Sequence, residues 1–110
     1  MKEQKIQKRI TDYLGSQGHH SINVITSSTA GTSDIVSCGP DGRFWAIEVK
    51  RPGKKPSELQ WSYIRSIQER NGIAFYADSF EDFKSKYHKC AVSGTNCFKA
   101  PPLKKTLVDL

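Results

Sequence analysis

The sequence has little of what marks secreted or membrane-embedded chains. Its three cysteines, Cys38, Cys90 and Cys97, are too few and odd in number for a secreted disulfide framework, so reduced thiols are expected, with a Cys90 to Cys97 bridge as the alternative. His88, Cys90 and Cys97 could begin a zinc site, but a structural zinc wants four ligands and no partner pair follows. No apolar run is long enough to span a bilayer, and the polar start Met1-Lys2-Glu3-Gln4-Lys5 holds no signal-peptide core. A soluble, intracellular protein with no membrane partner is expected. Repeats and low-complexity segments are absent too. Acidic residues are scarce, 11 against 17 Lys plus Arg, which leaves a formal charge of +6. Such a balance in a small chain with scattered aromatics fits a polyanionic partner, the plainer alternative being solubility.

What is present fits one domain of 110 residues. The stretch Arg43-Phe44-Trp45-Ala46-Ile47-Glu48-Val49-Lys50 reads as a central strand. With period two, Trp45, Ile47 and Val49 share one face, and Phe44, Ala46, Glu48 and Lys50 the other. A buried strand that presents two charges on one face is hard to explain by packing alone, because unpaired charges are costly to desolvate.

Before it, residues 3–16 carry Ile6, Ile10, Tyr13 and Leu14 at helical spacing, with Gly18 placed to stop the helix. Glu3 falls within that apolar stripe, either as a helix-dipole partner or as a carboxylate aimed at a site. Residues 21–27 read as a short strand, followed by a small-residue loop through Gly31 to Ser33. Residues 34–38 form the next strand, and Gly39-Pro40-Asp41-Gly42-Arg43 fits a type I turn closed by a glycine bulge. In that register Asp34 lies directly across from Glu48. A two-residue Asp41-Gly42 turn would instead set Asp34 opposite Val49, on the other face.

After the strand, Arg51-Pro52-Gly53-Lys54-Lys55-Pro56 is a cationic loop that cannot continue the sheet. Ser57 and Gln60 form a capping-box pattern for a helix to about Asn71, with Leu59, Tyr63, Ile64 and Ile67 as its buried stripe. Gln60 falls inside that stripe, so a site role competes with the capping role. Residues 73–77 read as a strand buried on both faces. Ser79 opens a third helix with a second capping-box pattern, carrying Phe80, Phe83 and Tyr87 inward, and the chain from His88 on is expected to be irregular.

These elements bring Glu3, Asp34, Glu48, Lys50 and Gln60 toward one edge of the sheet. Carboxylates without nearby His or Cys select a hard divalent ion, Mg²⁺ with Mn²⁺ as substitute. A lysine beside them can hold an attacking water and neutralise charge in a phosphoryl transition state.

The Gly31-x-x-Asp34 element, the Glu48-x-Lys50 strand end and the Ser57-x-x-Gln60 helix start, preceded by Glu3-x-x-Ile6, resemble the VRR-NUC group of PD-(D/E)xK nucleases. The resemblance spans residues 3–83. It implies an α/β (α+β) restriction-endonuclease-like core, order α-β-β-β-α-β-α, with a mixed central sheet flanked by helices. The nuclease domain would be residues 1–88 and an irregular extension of it residues 89–110.

By the same resemblance, Asp34, Glu48 and the carbonyl of Val49 would bind the metal and Glu3 would act through a water on it. Lys50 would position the nucleophile and Gln60 would support the site. Ser33 stands where the superfamily's name puts proline, which leaves the chemistry intact and bears on loop geometry. Stand-alone members of this kind, typically viral, are similar to structure-specific DNA endonucleases that work as homodimers on four-way (Holliday) junctions, with no organic cofactor. Flap, nick or site-specific duplex cleavage, or a non-catalytic DNA-binding module, are the alternatives. Ser28, Gly31, Arg51, Lys54 and Lys55 would then meet phosphates, giving shape recognition rather than base readout.

Overall fold

The computed structural model describes residues 3–102 of the chain. In order, the elements are α1 (Glu3–Ser16), β1 (His20–Asn23), β2 (Ile35–Cys38), β3 (Phe44–Val49), α2 (Glu58–Glu69), β4 (Ile73–Ala77) and α3 (Phe80–Ser93). This is the expected α-β-β-β-α-β-α order, folded as a four-stranded mixed sheet in the order β1-β2-β3-β4. The first three strands are antiparallel, and β4 lies parallel to β3. A parallel pair needs a long crossover, which α2 supplies.

The turn between β2 and β3 sets the register. Gly42 donates its N–H to the Gly39 carbonyl at 2.9 Å, and Gly39 donates to Arg43 at 2.9 Å. Gly42 has φ +88°, the left-handed conformation that a glycine bulge requires. The pairs that follow are Cys38 with Phe44, Ser37 with Trp45, Val36 with Ala46 and Ile35 with Ile47. The bulged register therefore holds, and the two-residue turn is excluded.

The two sheet faces differ in kind. On one, α1 and α3 bury Ile6, Ile10, Leu14, Phe83 and Tyr87 against Trp45, Ile47, Val49 and Phe75. Each large side chain removed from water there contributes roughly 1.5 to 3 kcal/mol. On the other, the small Ala46 and Ala74 let α2 come close through Ile64. Glu48 follows Ala46 in that second row and is only 2% exposed.

Several expectations are corrected. The first strand begins at His20 and ends at Asn23, not at residues 21–27; Val24 makes one more ladder bond, to the Asp34 carbonyl at 2.8 Å, and Ile25 is exposed. Leu59 is exposed rather than part of the buried stripe, because α2 rests on the sheet mainly through Ile64. The capping pattern at α3 is only half formed: Ser79 accepts from the Asp82 N–H, but Asp82 takes the Asp78 N–H instead of closing back on Ser79. The chain from His88 on is helical as far as Ser93, since Cys90 extends the buried stripe of α3 and Gly94 ends it with φ +70°. All three cysteines are free thiols.

Irregular chain begins after α3, and part of it is built into the fold. Asn96 is buried; its side-chain oxygen accepts the Ala74 N–H at 2.9 Å and its amide donates to the Gly72 carbonyl at 2.8 Å. Gln68 donates to the Ala74 and Phe98 carbonyls at 2.8 and 2.7 Å and accepts from the Ala100 N–H at 2.9 Å. Asn96→Ala would orphan two main-chain groups at the edge of β4, each costing about 1 to 3 kcal/mol when buried. Denaturant unfolding is expected to show a loss of about 2 kcal/mol or more; a loss below about 0.5 kcal/mol would mean that water replaces the amide.

Candidate active site

Continuing the β2/β3 register one step beyond Ile35 and Ile47 sets Asp34 beside Glu48. The Asp34 carboxylate is fixed by the Val49 N–H at 2.8 Å, and the Gln7 amide of α1 donates to its main-chain carbonyl at 3.3 Å. Glu48 and Lys50 project together as period two requires, with Lys50 Nζ 3.5 Å from Glu48 Oε2 and its side chain 17% exposed. Lys50 donates its N–H to the Ala77 carbonyl at 2.8 Å, so the ladder to β4 continues as far as the lysine.

The pair is under electrostatic tension. Glu48 Oε1 is buried and has no hydrogen-bond partner among the described residues. The Glu48 carboxyl is pushed up to about 8, first by burial and next by the neighbouring Asp34 carboxylate, while Lys50 pulls the other way. Two acids this close, one with an oxygen that finds no donor, suit a cation between them. The donors are hard oxygens, the kind that suits a hard divalent ion. Among the described residues no third His, Cys, Asp or Glu joins the pair.

The flanking residues divide. Glu3 is exposed at the start of α1 and accepts the Arg51 N–H at 3.3 Å, which ties α1 to the chain leaving β3. Gln60 completes the capping box: its side-chain oxygen accepts the Ser57 N–H at 2.9 Å, and Ser57 accepts the Gln60 N–H at 3.3 Å. Arg51, Lys54 and Lys55 are exposed, and the Asp78 carboxylate holds their loop through the Gly53 N–H at 3.2 Å. Ser28 is exposed as well.

Gly31 has φ +77°, and a Cβ there would stand 2.3 Å from the Leu59 carbonyl oxygen. Its lack of a side chain lets the loop before Asp34 press against the first turn of α2. Ser33 is fully buried and its hydroxyl has no hydrogen-bond partner among the described residues, a cost that a proline would not carry. Gln7 and Asp78, which steady the site from outside, were not read from the sequence. Neither belongs to a motif, and each acts on main chain far away along the sequence.

No family model matches the chain, and no curated protein matches it. One solved structure, described as a VRR_NUC domain, superposes with a TM-score of 0.70 at 22% identity, over 78% of this chain and 94% of that one. The fold is therefore that of a VRR_NUC domain, as the four motifs led one to expect.

The raised acid has a consequence for stability. Below its ordinary value of 4.5 Glu48 is protonated folded or unfolded; between 4.5 and about 8 only the folded chain keeps the proton. The fold then binds more protons than the unfolded chain, so raising pH through that window destabilises it, by on the order of a few kcal/mol. In chelator, the melting temperature is expected to fall from pH 5 to pH 8, and Glu48→Gln to flatten the fall and melt higher at pH 8. Parallel melting curves for the two proteins would show that Glu48 ionises freely in the fold.

Proposed function

We propose that the protein is a divalent-metal-dependent DNA endonuclease, resolving four-way junctions as a homodimer inside the cell or virus-infected cell that holds its DNA. The observation that carries the reading is the buried oxygen of Glu48, without a hydrogen-bond partner among the described residues, set beside Asp34 on a side chain within reach of Lys50. A module that only bound DNA would gain nothing from two carboxylates facing a polyanion.

Asp34, Glu48 and the carbonyl of Val49 would hold Mg²⁺, and Mn²⁺ in its place. When bound, the ion polarises the scissile phosphate and lowers the pKa of water. The chain's own residues do the rest. Val49 N–H keeps Asp34 turned toward Glu48. Lys50, beside Glu48 and partly open to solvent, would hydrogen-bond the attacking water and offset the negative charge that grows on the phosphoryl oxygens. Arg51, Lys54 and Lys55 meet flanking phosphates, and Ser28 and the loop at Gly31 line the approach. Glu3 steadies the strand end through Arg51 and would act on the ion through a water, while Gln60 fixes the start of α2. One chain of this size carries one such site, and a two-fold pair supplies the two coordinated cuts that junction resolution needs.

Labelled four-way junctions, flaps and linear duplex incubated with Mg²⁺, Mn²⁺ or chelator decide the chemistry. Metal-dependent cutting of junctions is expected, with Lys50→Ala slower by about 100-fold or more, the usual scale for a lost charge-stabilising donor. Cutting in chelator, or an unimpaired Lys50→Ala, would sink the mechanism. Equal cutting of duplex and junction would sink the substrate alone. Glu3→Gln should slow metal-dependent cleavage while leaving the melting temperature near the parent's. If it cuts at the parental rate, Glu3 serves only to tie α1 to Arg51.

A further inference from the structure

A second recess opens one strand away from the acid pair. In the parallel register Glu48 lies beside Tyr76, and adjacent strands are about 4.8 Å apart. Both side chains are on the face that α2 covers. Trp61, which follows Gln60 in the first turn of α2, meets the Tyr76 ring edge-on with centroids 5.5 Å apart. Beside this pair is a cavity of about 290 Å³ lined by Trp61, Phe75, Tyr76, Lys86, Phe98 and Lys99. Four of these are aromatic, two are lysines and none is acidic.

The lysines are unequal. Lys86 Nζ donates to the Tyr76 carbonyl at 2.7 Å, pairs with Asp82 at 3.0 Å and lies 4.1 Å from the Tyr76 ring centroid, so it braces the wall. Lys99 is exposed at the mouth. Ligand cavities run from roughly 300 to 1,000 Å³, so this one is at the small end and suits one flat group. A flat aromatic group carried on a polyanion, arriving one strand from a phosphodiesterase site, is a nucleobase.

We propose that this recess takes an unpaired nucleobase at the branch of the DNA substrate. Trp61, Tyr76 and Phe98 form the stacking walls, and Lys99 meets the adjoining phosphate. The proposal rests on the endonuclease reading and sharpens its substrate to DNA with unstacked bases beside the cut. Stacking on aromatic walls tolerates any base, so the recess selects structure rather than sequence.

The test is binding in chelator, where no cutting intervenes. Duplexes with a short flap or a single bulged base, carrying 2-aminopurine at the unpaired position, are compared with the fully paired duplex. The intact protein is expected to prefer the unpaired DNA and to change the 2-aminopurine emission there. Trp61→Ala should weaken the unpaired complex by about 5- to 100-fold, the scale of one lost base stack, and leave the paired duplex within about twofold. Lys99→Glu, at an exposed position where substitutions usually disturb the fold little, should also weaken the unpaired complex more than the paired one.

A wild-type protein without preference, or a preference untouched in folded Trp61→Ala, would overturn the proposal. Should Trp61→Ala fail to fold, an unchanged preference in Lys99→Glu overturns it equally. Cleavage assays separate this idea from its premise. A Trp61-dependent preference in a protein that cuts no DNA under Mg²⁺ would refute the endonuclease reading and leave the recess standing.

Discussion

The placement of Asp34 against Glu48 depends on one glycine in a left-handed turn. Gly42 closes the bulge between β2 and β3, and the register it sets runs unbroken from Cys38 and Phe44 to Ile35 and Ile47. Had the turn been one residue shorter, every side chain of β2 would have changed face relative to β3. Asp34 would then have pointed away from Glu48, and two of the three charged groups of the site would have been separated by the sheet itself.

That placement carries a cost which the fold meets unequally. Asp34 has a main-chain donor in Val49 N–H, and Glu48 has Lys50 on one oxygen and, among the described residues, no hydrogen-bond partner on the other. The sheet could have closed this gap with a hydroxyl or an amide, as it does elsewhere. His19, buried just before β1, has both ring nitrogens engaged, by Ser37 of β2 at 2.9 Å and Tyr87 of α3 at 3.1 Å. By contrast with that imidazole, Glu48 Oε1 stands out with Ser33 Oγ as a buried polar atom for which the described residues supply no partner, and it is the opening that the proposed ion would fill.

Legibility in the sequence followed the range of the interactions. Glu48 and Lys50 were readable because strand period is local, and Asp34 because turn chemistry at residues 39–43 carries the register to it. The capping role and the site role of Gln60 could not be separated, since both ask for the same residue at the same place; the structure shows the first as formed. Leu59 was misassigned because helical spacing says which residues share a face and not how much of that face a sheet will cover. Asn96 and Gln68 left no trace, since each satisfies main-chain groups of β4 or the tail through contacts that no periodicity announces. Trp61 and Tyr76 were passed over because an aromatic beside a core stripe looks like core.

The side chains along β4 reach further than the stability of one chain. Gly72 and Ala74 are bonded by Asn96, the Ala74 carbonyl also by Gln68, and the Tyr76 carbonyl by Lys86. These main-chain groups are the ones an incoming strand would need. A sheet whose last strand is stoppered in this way cannot grow sideways from β4. Two copies that pair would therefore meet through helix or loop surfaces or at another edge of the sheet rather than by extending it from β4.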